Sequence, residues 1–346
     1  MRSIGAIVRR TTTLCPALAF LAGAAPATCQ TAEQFYAGKT LDMIIGFPAG
    51  GFNDTNARLA ARHLGNHIPG KPKIIARNMP GGGSLVAANH IYTVARRDGT
   101  VLGLLSPTIP MDEKLGTAGI KFESARFNWI GRIGAAVNVA MIWHASPIMT
   151  VDDLKTRETT TGATGAGSVV AVYPNVLNHM FGTKFKIVMG YAGSAEAMLA
   201  MERGEVEAHT ASWEAVNAMH PSWVKDGKIR VVVQFALARH RQLPHVPTAV
   251  DLARTPDDAA TMKAMVASGD IGKSIMTGPE LPTDRVEALR RAFDDMCKDP
   301  AFLADAQKSG VDISPMKGEE LQKFIEDVGA ISPAIVARVK GFYAMK

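Results

Sequence analysis

Apolar residues in the first part of the chain follow two periods that alternate with each other. Short apolar runs at residues 41–47, 73–76 and 101–105 predict strands, whereas residues 55–67 and 84–96 carry apolar positions at helical spacing. Strand, helix, strand, helix, strand is the order of a parallel sheet covered by helices. This part of the chain is therefore predicted to form an α/β unit.

A second series of the same design follows the irregular stretch at residues 107–128. Proline residues at Pro244 and Pro247 then introduce a polar region without a predicted element, and residues 274–282 are interpreted as a connection back to the first unit. Repeated architecture in a chain of 346 residues predicts two compact lobes. The second series consists of predicted strands at 137–143, 185–189, 205–211 and 229–236, helices at 151–155, 169–180 and 195–203, and closing amphipathic helices at 284–297 and 318–340.

The N-terminal segment has the pattern of a secretory signal peptide. Arg2, Arg9 and Arg10 give it a positive start, no acid precedes Glu33, and an apolar run leads to a small-residue cleavage site at residues 25–27. The apolar run is too short for a membrane span. We therefore predict a signal peptide at residues 1–27 and a periplasmic mature protein that begins near Thr28.

Charge and cysteine content exclude several classes of protein. Loss of residues 1–27 removes three arginines and no acid, so the formal charge falls from +6 to +3, and this excess is spread along the chain without a basic stripe. Nucleic-acid binding is therefore not expected. The three cysteines, Cys15, Cys29 and Cys297, form no disulfide framework. Lipidation of Cys29 is not favoured, because residues 26–28 match the processing site poorly.

Four stretches place small residues where a predicted strand gives way to a predicted helix: residues 48–51, 80–84, 162–168 and 190–197. Glycine lets the backbone approach a ligand closely, and the first N–H groups of a helix carry partial positive charge. Four such loops from two lobes favour a cleft of neutral donors that suits a carboxylate. The alternative is that each Gly or Ser only caps its helix.

Nucleotide-binding motifs are incomplete in these loops. Gly272-Lys273-Ser274 resembles the end of a P-loop, but the position that requires the first glycine is Ala267. The dinucleotide-binding pattern fails at Val86, where a third glycine is needed. The sequence therefore does not support a nucleotide cofactor, and we expect no cofactor.

Catalytic and zinc motifs are incomplete as well. A nucleophile elbow needs glycine two residues before and after the serine, and neither Ser84, Ser168 nor Ser194 has both. His63 and His67 have the spacing of paired zinc ligands, but Leu64 stands where a metalloprotease has its base. We therefore predict no catalytic or metal site, while a hydrolase or lyase that uses a Gly-Ser turn stays an alternative.

Several ordered segments resemble one protein family. "FPAGGFNDTNARLAARHL" at 47–64 and "ARNMPGGGSLVAANHIYTVARRDGTVLGLL" at 76–105 are similar to the first loops and helices of the Bug-type receptors of tripartite tricarboxylate transporters. "FNWIG", "MGYAGSAEAMLAMERGEVEAH", "VPTAVDL" and "DPAFLADAQKSGVDISPM" continue the resemblance in the same order. No single motif is specific, but the ordered set spans most of the mature chain.

The resemblance implies an α/β, two-lobed periplasmic-binding-protein-like fold, in which each lobe is a mostly parallel sheet flanked by helices and the lobes are joined by two crossing strands. We place lobe 1 at residues 28–137 plus 275–346 and lobe 2 at 138–274. It also implies a small organic carboxylate as ligand and a large and a small integral membrane subunit as partners. We expect a monomer. A ligand-sensing subunit of a signalling system would use the same fold and stays open.

The resemblance also suggests which residues contact the ligand. It implies backbone N–H groups from the first loop, with Phe47 as a wall, and an acid at Asp54 that orients water or caps the helix. Trp213 is interpreted either as a stacking surface for a flat ligand or as a core residue. The other candidates come from the four loops: Ala49, Gly50, Gly51, Ser84, Thr164, Ser168, Tyr191, Gly193 and Ser194.

Overall fold

A computed structural model describes residues 30–164, 168–191 and 193–344. The predicted signal peptide lies outside the described residues. The strands are β1 (Thr40–Ile45), β2 (Lys73–Asn78), β3 (Val101–Leu104), β4 (Asn128–Arg132), β5 (Asn138–Trp143), β6 (Thr159–Gly162), β7 (Phe185–Val188), β8 (Ala208–Ser212), β9 (Ile229–Phe235), β10 (Ser274–Thr277) and β11 (Met316–Lys317).

Helices flank these strands along the whole chain. They are α1 (Ala32–Tyr36), α2 (Phe52–Leu64), α3 (Leu85–Thr93), α4 (Ile109–Lys114), α5 (Asp153–Thr156), α6 (Val169–Phe181), α7 (Ser194–Glu202), α8 (Trp213–Met219), α9 (Pro221–Lys225), α10 (Pro256–Ile271), α11 (Thr283–Met296), α12 (Pro300–Lys308), α13 (Gly318–Gly329) and α14 (Pro333–Ala344). In the part of the chain that is described, no helix is long and apolar enough to cross a bilayer.

The strands form two mixed sheets and not the mostly parallel sheets predicted, because β10 and β5, which adjoin the crossings, run antiparallel to their neighbours. The first sheet has the order β11-β4-β10-β3-β1-β2, and the second has the order β7-β6-β8-β5-β9. In the first sheet β1 pairs in parallel with β2 and β3, while β10 runs antiparallel to β3 and β4. In the second sheet β6 pairs in parallel with β7 and β8, while β5 runs antiparallel to β8 and β9.

Burial explains why these segments form a sheet covered by helices. The central strand β3 is buried at all four positions, whereas the edge strand β2 alternates between exposed and half-buried residues. Helix α2 buries a stripe that includes Leu59, Ala60 and Leu64 against the apolar residues of β1, such as Leu41 and Met43. This stripe has the helical spacing recognised in the sequence.

Two segments, residues 133–137 and 236–273, connect the sheets, and they run side by side where they meet. The Ile133 N–H donates to Lys273 O at 2.9 Å, and the Lys273 N–H donates to Gly134 O at 2.9 Å. Gly272 has φ +53°, and a Cβ there would lie 2.2 Å from Gly134 O, so this close approach requires glycine. The two crossing segments thus lie against each other at residues 133–134 and 272–273. The lobe boundaries given above stay a prediction.

Some elements differ from the prediction. Residues 318–340 do not form one helix but α13 and α14, because Pro333 cannot continue α13 and instead occupies the first turn of α14. The region after Pro247, predicted to lack an element, contains the 16-residue helix α10, which begins with a Thr255 side-chain cap followed by Pro256. Strands β4 and β6 and helices α4 and α12 were also absent from the predicted elements.

The last helix packs on the second sheet's side of the molecule. Val339 and Phe342 of α14 share an apolar cluster with Tyr173 of α6, Phe235 of β9 and Met265 of α10. The chain therefore returns to cover helices of the second sheet after it has completed the first sheet at β11.

Candidate ligand cleft

The two sheets face each other through the ends of their parallel strands. Arg132 ends β4 and pairs with Ser274 at the start of β10, while Asn138 starts β5 and pairs with Ser212 at the end of β8. Both crossing segments therefore leave from the edges at which β1, β3, β6 and β8 end. In open α/β sheets ligands bind outside the carboxyl ends of strands. We call the space between these two edges the cleft.

Asp54 organises the first loop of the cleft. Its side chain is 5% exposed and accepts hydrogen bonds from the Gly50 N–H at 2.9 Å, from Asn78 Nδ2 at 2.7 Å and from Arg58 Nε at 2.9 Å. Burial alone would raise the pKa of Asp54, but the hydrogen bonds from Arg58, Gly50 and Asn78 outweigh it and lower this pKa. The carboxylate thus holds the loop, and it already uses the Gly50 N–H that the resemblance assigned to a ligand.

The remaining first-loop candidates differ in exposure. Ala49, Gly50 and Gly51 are exposed, whereas Phe47 is half-buried and packs against the core of the first sheet. The Phe47 carbonyl accepts a hydrogen bond from Asn78 Nδ2 at 2.9 Å. The exposed backbone of the loop therefore lies at the surface of the cleft, and Phe47 supports it from below.

Ser84 joins three loops of the first sheet through its hydroxyl. The residue is 1% exposed with φ +77°, and its Oγ donates to Gly46 O at 2.9 Å and accepts from the Ser106 N–H at 3.0 Å. Both bonds engage backbone groups that follow β1 and β3. The hydroxyl therefore serves the loop structure, and its proton goes to a carbonyl and not to a base that would activate it as a nucleophile.

The second sheet contributes the other two loops. Thr164 and Ser168 flank residues 165–167, which are outside the described residues, and Ser168 occupies the position before α6. Tyr191 is half-buried, and its ring lies close enough to Gly162 that a Cβ there would be 3.1 Å away. Gly193 and Ser194, both half-buried, form the start of α7. These candidates converge because β6 and β7 are adjacent parallel strands.

Trp213 is chiefly a core residue that also borders a cavity. It is 3% exposed, its indole Nε1 donates to Gln242 Oε1 at 2.7 Å, and its N–H donates to Val137 O at 2.8 Å. The cavity has a volume of about 240 Å³ and is also lined by Glu214 and Asp312. The core interpretation therefore accounts for the indole hydrogen bond and most of the ring.

Helix N-termini from both sheets end at the cleft. Helices α2 and α7 have glycine, Gly51 and Gly193, at the N-cap position, where no side chain is available to cap the first turn. Helix α3 follows Ser84, whose hydroxyl is engaged elsewhere. The first N–H groups of such helices carry partial positive charge and attract anions.

A comparison with known protein families identifies the chain. It matches the family described as tripartite tricarboxylate transporter family receptor, TctC, over residues 57–340. The protein belongs to this receptor family. A comparison with curated proteins found no match.

Solved structures resemble the receptor over nearly its whole length. A TctC solute-binding protein from Polaromonas is 21% identical with a TM-score of 0.67, and the match covers 89% of this chain and 98% of that chain. An R. palustris protein solved with adipate is 19% identical with a TM-score of 0.55, covering 88% and 96% of the two chains. MatC from Rhodopseudomonas palustris with bound malate is 17% identical with a TM-score of 0.55, covering 88% and 99%. The likeness confirms the predicted two-lobed α/β fold.

Sequence reasoning missed one ion pair of the receptor. Lys273, 4% exposed, donates to both carboxylate oxygens of Glu214 at 2.5 Å and to Ala135 O at 3.3 Å, and its ammonium lies 5.2 Å from the ring centroid of Phe52. Lys273 belongs to a crossing segment, Glu214 to α8 and Phe52 to the start of α2. The only local signal was the incomplete P-loop ending at Ser274, and it gave no hint of a partner 59 residues away.

His63 of α2 and His67, three residues beyond the end of α2, bind separate carboxylates: Asp305 within α12 and Asp299 at its N-cap. His63 Nε2 lies 3.0 Å from Asp305 Oδ2, and His67 Nε2 lies 3.0 Å from Asp299 Oδ2. Within residues 30–164, 168–191 and 193–344, no group of three or more His, Cys, Asp or Glu side chains is placed to hold a metal ion. The spacing of the two histidines thus serves helix packing in this receptor.

Proposed function

We propose that this receptor captures a small organic carboxylate in the cleft and delivers it, in the periplasm, to a transporter with one large and one small integral membrane subunit. The observation that carries the proposal is the set of helix N-termini from both sheets at the cleft, with glycine at the N-cap of α2 and α7. An oxyanion that accepts their N–H groups would hold the two lobes together. The ligands of two structural neighbours, adipate and malate, are also carboxylates.

Neutral donors would supply most of the binding energy. The loops at 48–53, 80–84, 162–168 and 191–194 contain no Arg or Lys. Charge-assisted hydrogen bonds contribute roughly 1.5–3 kcal/mol each, and a carboxylate accepts several. Lys273 is a nearby cation that the sequence did not reveal, but its three donors are engaged by Glu214 and Ala135. A site without a strong ion pair would release its ligand readily to the membrane subunits.

A thermal-shift screen of organic acids against the chain from Thr28 onward tests the proposal directly. A ligand that binds only the native state at 100 times its Kd stabilises that state by about 2.7 kcal/mol. We expect carboxylates to raise the melting temperature and the matching amides to leave it unchanged. If no acid in a broad panel shifts the transition, the carboxylate receptor proposal is wrong.

Two variants then locate the site. A Cβ at Gly50 meets nothing within 4 Å, so Gly50→Val would project into the cleft and should reduce affinity more than tenfold. Gly182 also has a positive φ and open space, but it lies at the end of α6 remote from the cleft, so Gly182→Val is the matched control for backbone strain. Equal effects of the two variants on affinity would place the ligand elsewhere.

Ser168 provides a milder test. We expect Ser168→Ala to weaken binding about tenfold, the effect of losing one hydrogen bond of about 1.4 kcal/mol. Lys39→Ala and Lys184→Ala should bind normally, because neither lysine belongs to a cleft loop. If calorimetry finds that the two lysine variants do not bind the ligand while Ser168→Ala keeps the wild-type affinity, the neutral-donor site is wrong.

A further inference from the structure

A second cavity lies between helices that belong to the two sheets. It has a volume of about 390 Å³, within the range of small-molecule sites, and we call it the side cavity. One wall is formed by α4, and the opposite wall is formed by α10, α14 and the first residue of α6. Most of its lining is apolar, as shown by Met111, Val169, Met265 and Val339.

The side cavity adjoins the cleft at two points. Val169 directly follows Ser168, the residue before α6, and Thr108 follows the carboxyl end of β3. A chain of hydrogen bonds connects Thr108 with the second loop: its Oγ1 lies 2.8 Å from Ser106 Oγ, and the Ser106 N–H donates to Ser84 Oγ at 3.0 Å. The side cavity therefore lies next to the second loop and to the residue before α6.

The charge in the side cavity is negative. Asp112 is the one ionisable carboxyl group among its described lining residues, and no Lys or Arg lines it. Asp112 Oδ2 accepts a hydrogen bond from Thr108 Oγ1 at 2.8 Å. Burial raises the pKa of Asp112 despite this bond, as expected for a carboxyl group without a cationic partner.

Two cations near the cleft are already paired with carboxylates of the protein. Lys273 is engaged by both oxygens of Glu214, and Arg58 is engaged by Asp54. A buried charge without a partner is costly. The side cavity offers a carboxylate no cationic partner among its described lining residues and therefore suits an apolar group.

We propose that the ligand is a monocarboxylate whose apolar body occupies the side cavity, and that Asp112 disfavours a second carboxylate at its far end. This inference rests on the proposed carboxylate receptor function and narrows its substrate class. It separates this receptor from its structural neighbours with adipate and malate, whose ligands carry two carboxylates.

Calorimetry with butanoate, hexanoate and adipate tests the inference. Hexanoate and adipate have six carbons each and differ only in the group at the far end. Burial of each added methylene should raise affinity about fourfold, so hexanoate should bind more tightly than butanoate. We also expect hexanoate to bind at least tenfold more tightly than adipate. Adipate binding as tight as hexanoate overturns the inference but leaves the receptor function intact. Failure of all organic acids, in this series and in the thermal-shift panel, overturns both.

Three variants connect that preference to the side cavity. Val169→Trp would fill the cavity from an exposed position and should weaken hexanoate binding at least tenfold. Val224→Trp is the matched control, because Val224 is 37% exposed against 41% for Val169 and does not line the cavity. Asp112→Asn should reduce the gap between hexanoate and adipate at least threefold. An unchanged hexanoate affinity in Val169→Trp, or an unchanged gap in Asp112→Asn, would overturn the assignment of the cavity.

Discussion

Removal of the Ser84 hydroxyl tests whether this residue supports the loops or contacts the ligand. In Ser84→Ala the Gly46 carbonyl loses its donor at 2.9 Å and the Ser106 N–H loses its acceptor at 3.0 Å. Ser84 is 1% exposed, so water cannot easily replace its hydroxyl. An unsatisfied buried group costs about 1–3 kcal/mol, and Ser106 is only half-buried, so we expect a loss of about 2–4 kcal/mol.

Ser84→Gly separates the hydrogen bonds from the backbone strain. Glycine loses the same two bonds, but it adopts φ +77° without the penalty of about 1 kcal/mol that a Cβ brings. Ser84→Gly should therefore be about 1 kcal/mol more stable than Ser84→Ala. Urea denaturation of the chain from Thr28 onward gives both free energies of unfolding. A loss below 0.5 kcal/mol in Ser84→Ala, together with a large loss of ligand affinity, would refute the supporting role and return the hydroxyl to the ligand site.

Three further predictions follow from the same contacts. The pKa of Asp54 is lowered in the folded state, so the ionised carboxylate stabilises the fold above the unfolded pKa of about 3.9, and this stabilisation is lost as the pH falls through the folded pKa. The unfolding free energies of wild type and Asp54→Asn should therefore converge in acid and differ at neutral pH. Lys273→Met leaves Glu214 buried without its partner and should lower the free energy of unfolding in urea by about 3–5 kcal/mol. The double variant Lys273→Met/Glu214→Leu should recover most of this loss. Equal stability of the single and the double variant would contradict the pairing. Hinge closure around a tight ligand should reduce the radius of gyration in small-angle scattering, and identical curves at saturation would indicate a preformed site.

Local pattern was sufficient to predict much of the fold. Strand β1, helix α2 and helix α6 begin within three residues of their predicted positions, because period and turn residues act over a few neighbours. Elements without such a local pattern were missed. Strand β6 is rich in Thr and Gly, and Thr159 and Thr161 form a strand because both are buried between β7 and β8. Helix α10 carries no clear apolar stripe, because its buried residues face two different apolar clusters and so lie on more than one side of the helix.

The sequence by itself determined that helices begin at Gly-rich loops and that these loops contain no Lys or Arg, since both features are written in adjacent residues. Only the tertiary structure decided what those loops contact. Ser84 meets Gly46 and Ser106 because β1 and β3 are neighbours in a sheet, and Lys273 meets Glu214 because two crossing segments bring positions 59 residues apart together. Such contacts depend on the packing of whole sheets, whose energy is summed over many distant residues and leaves no mark in any short stretch of sequence.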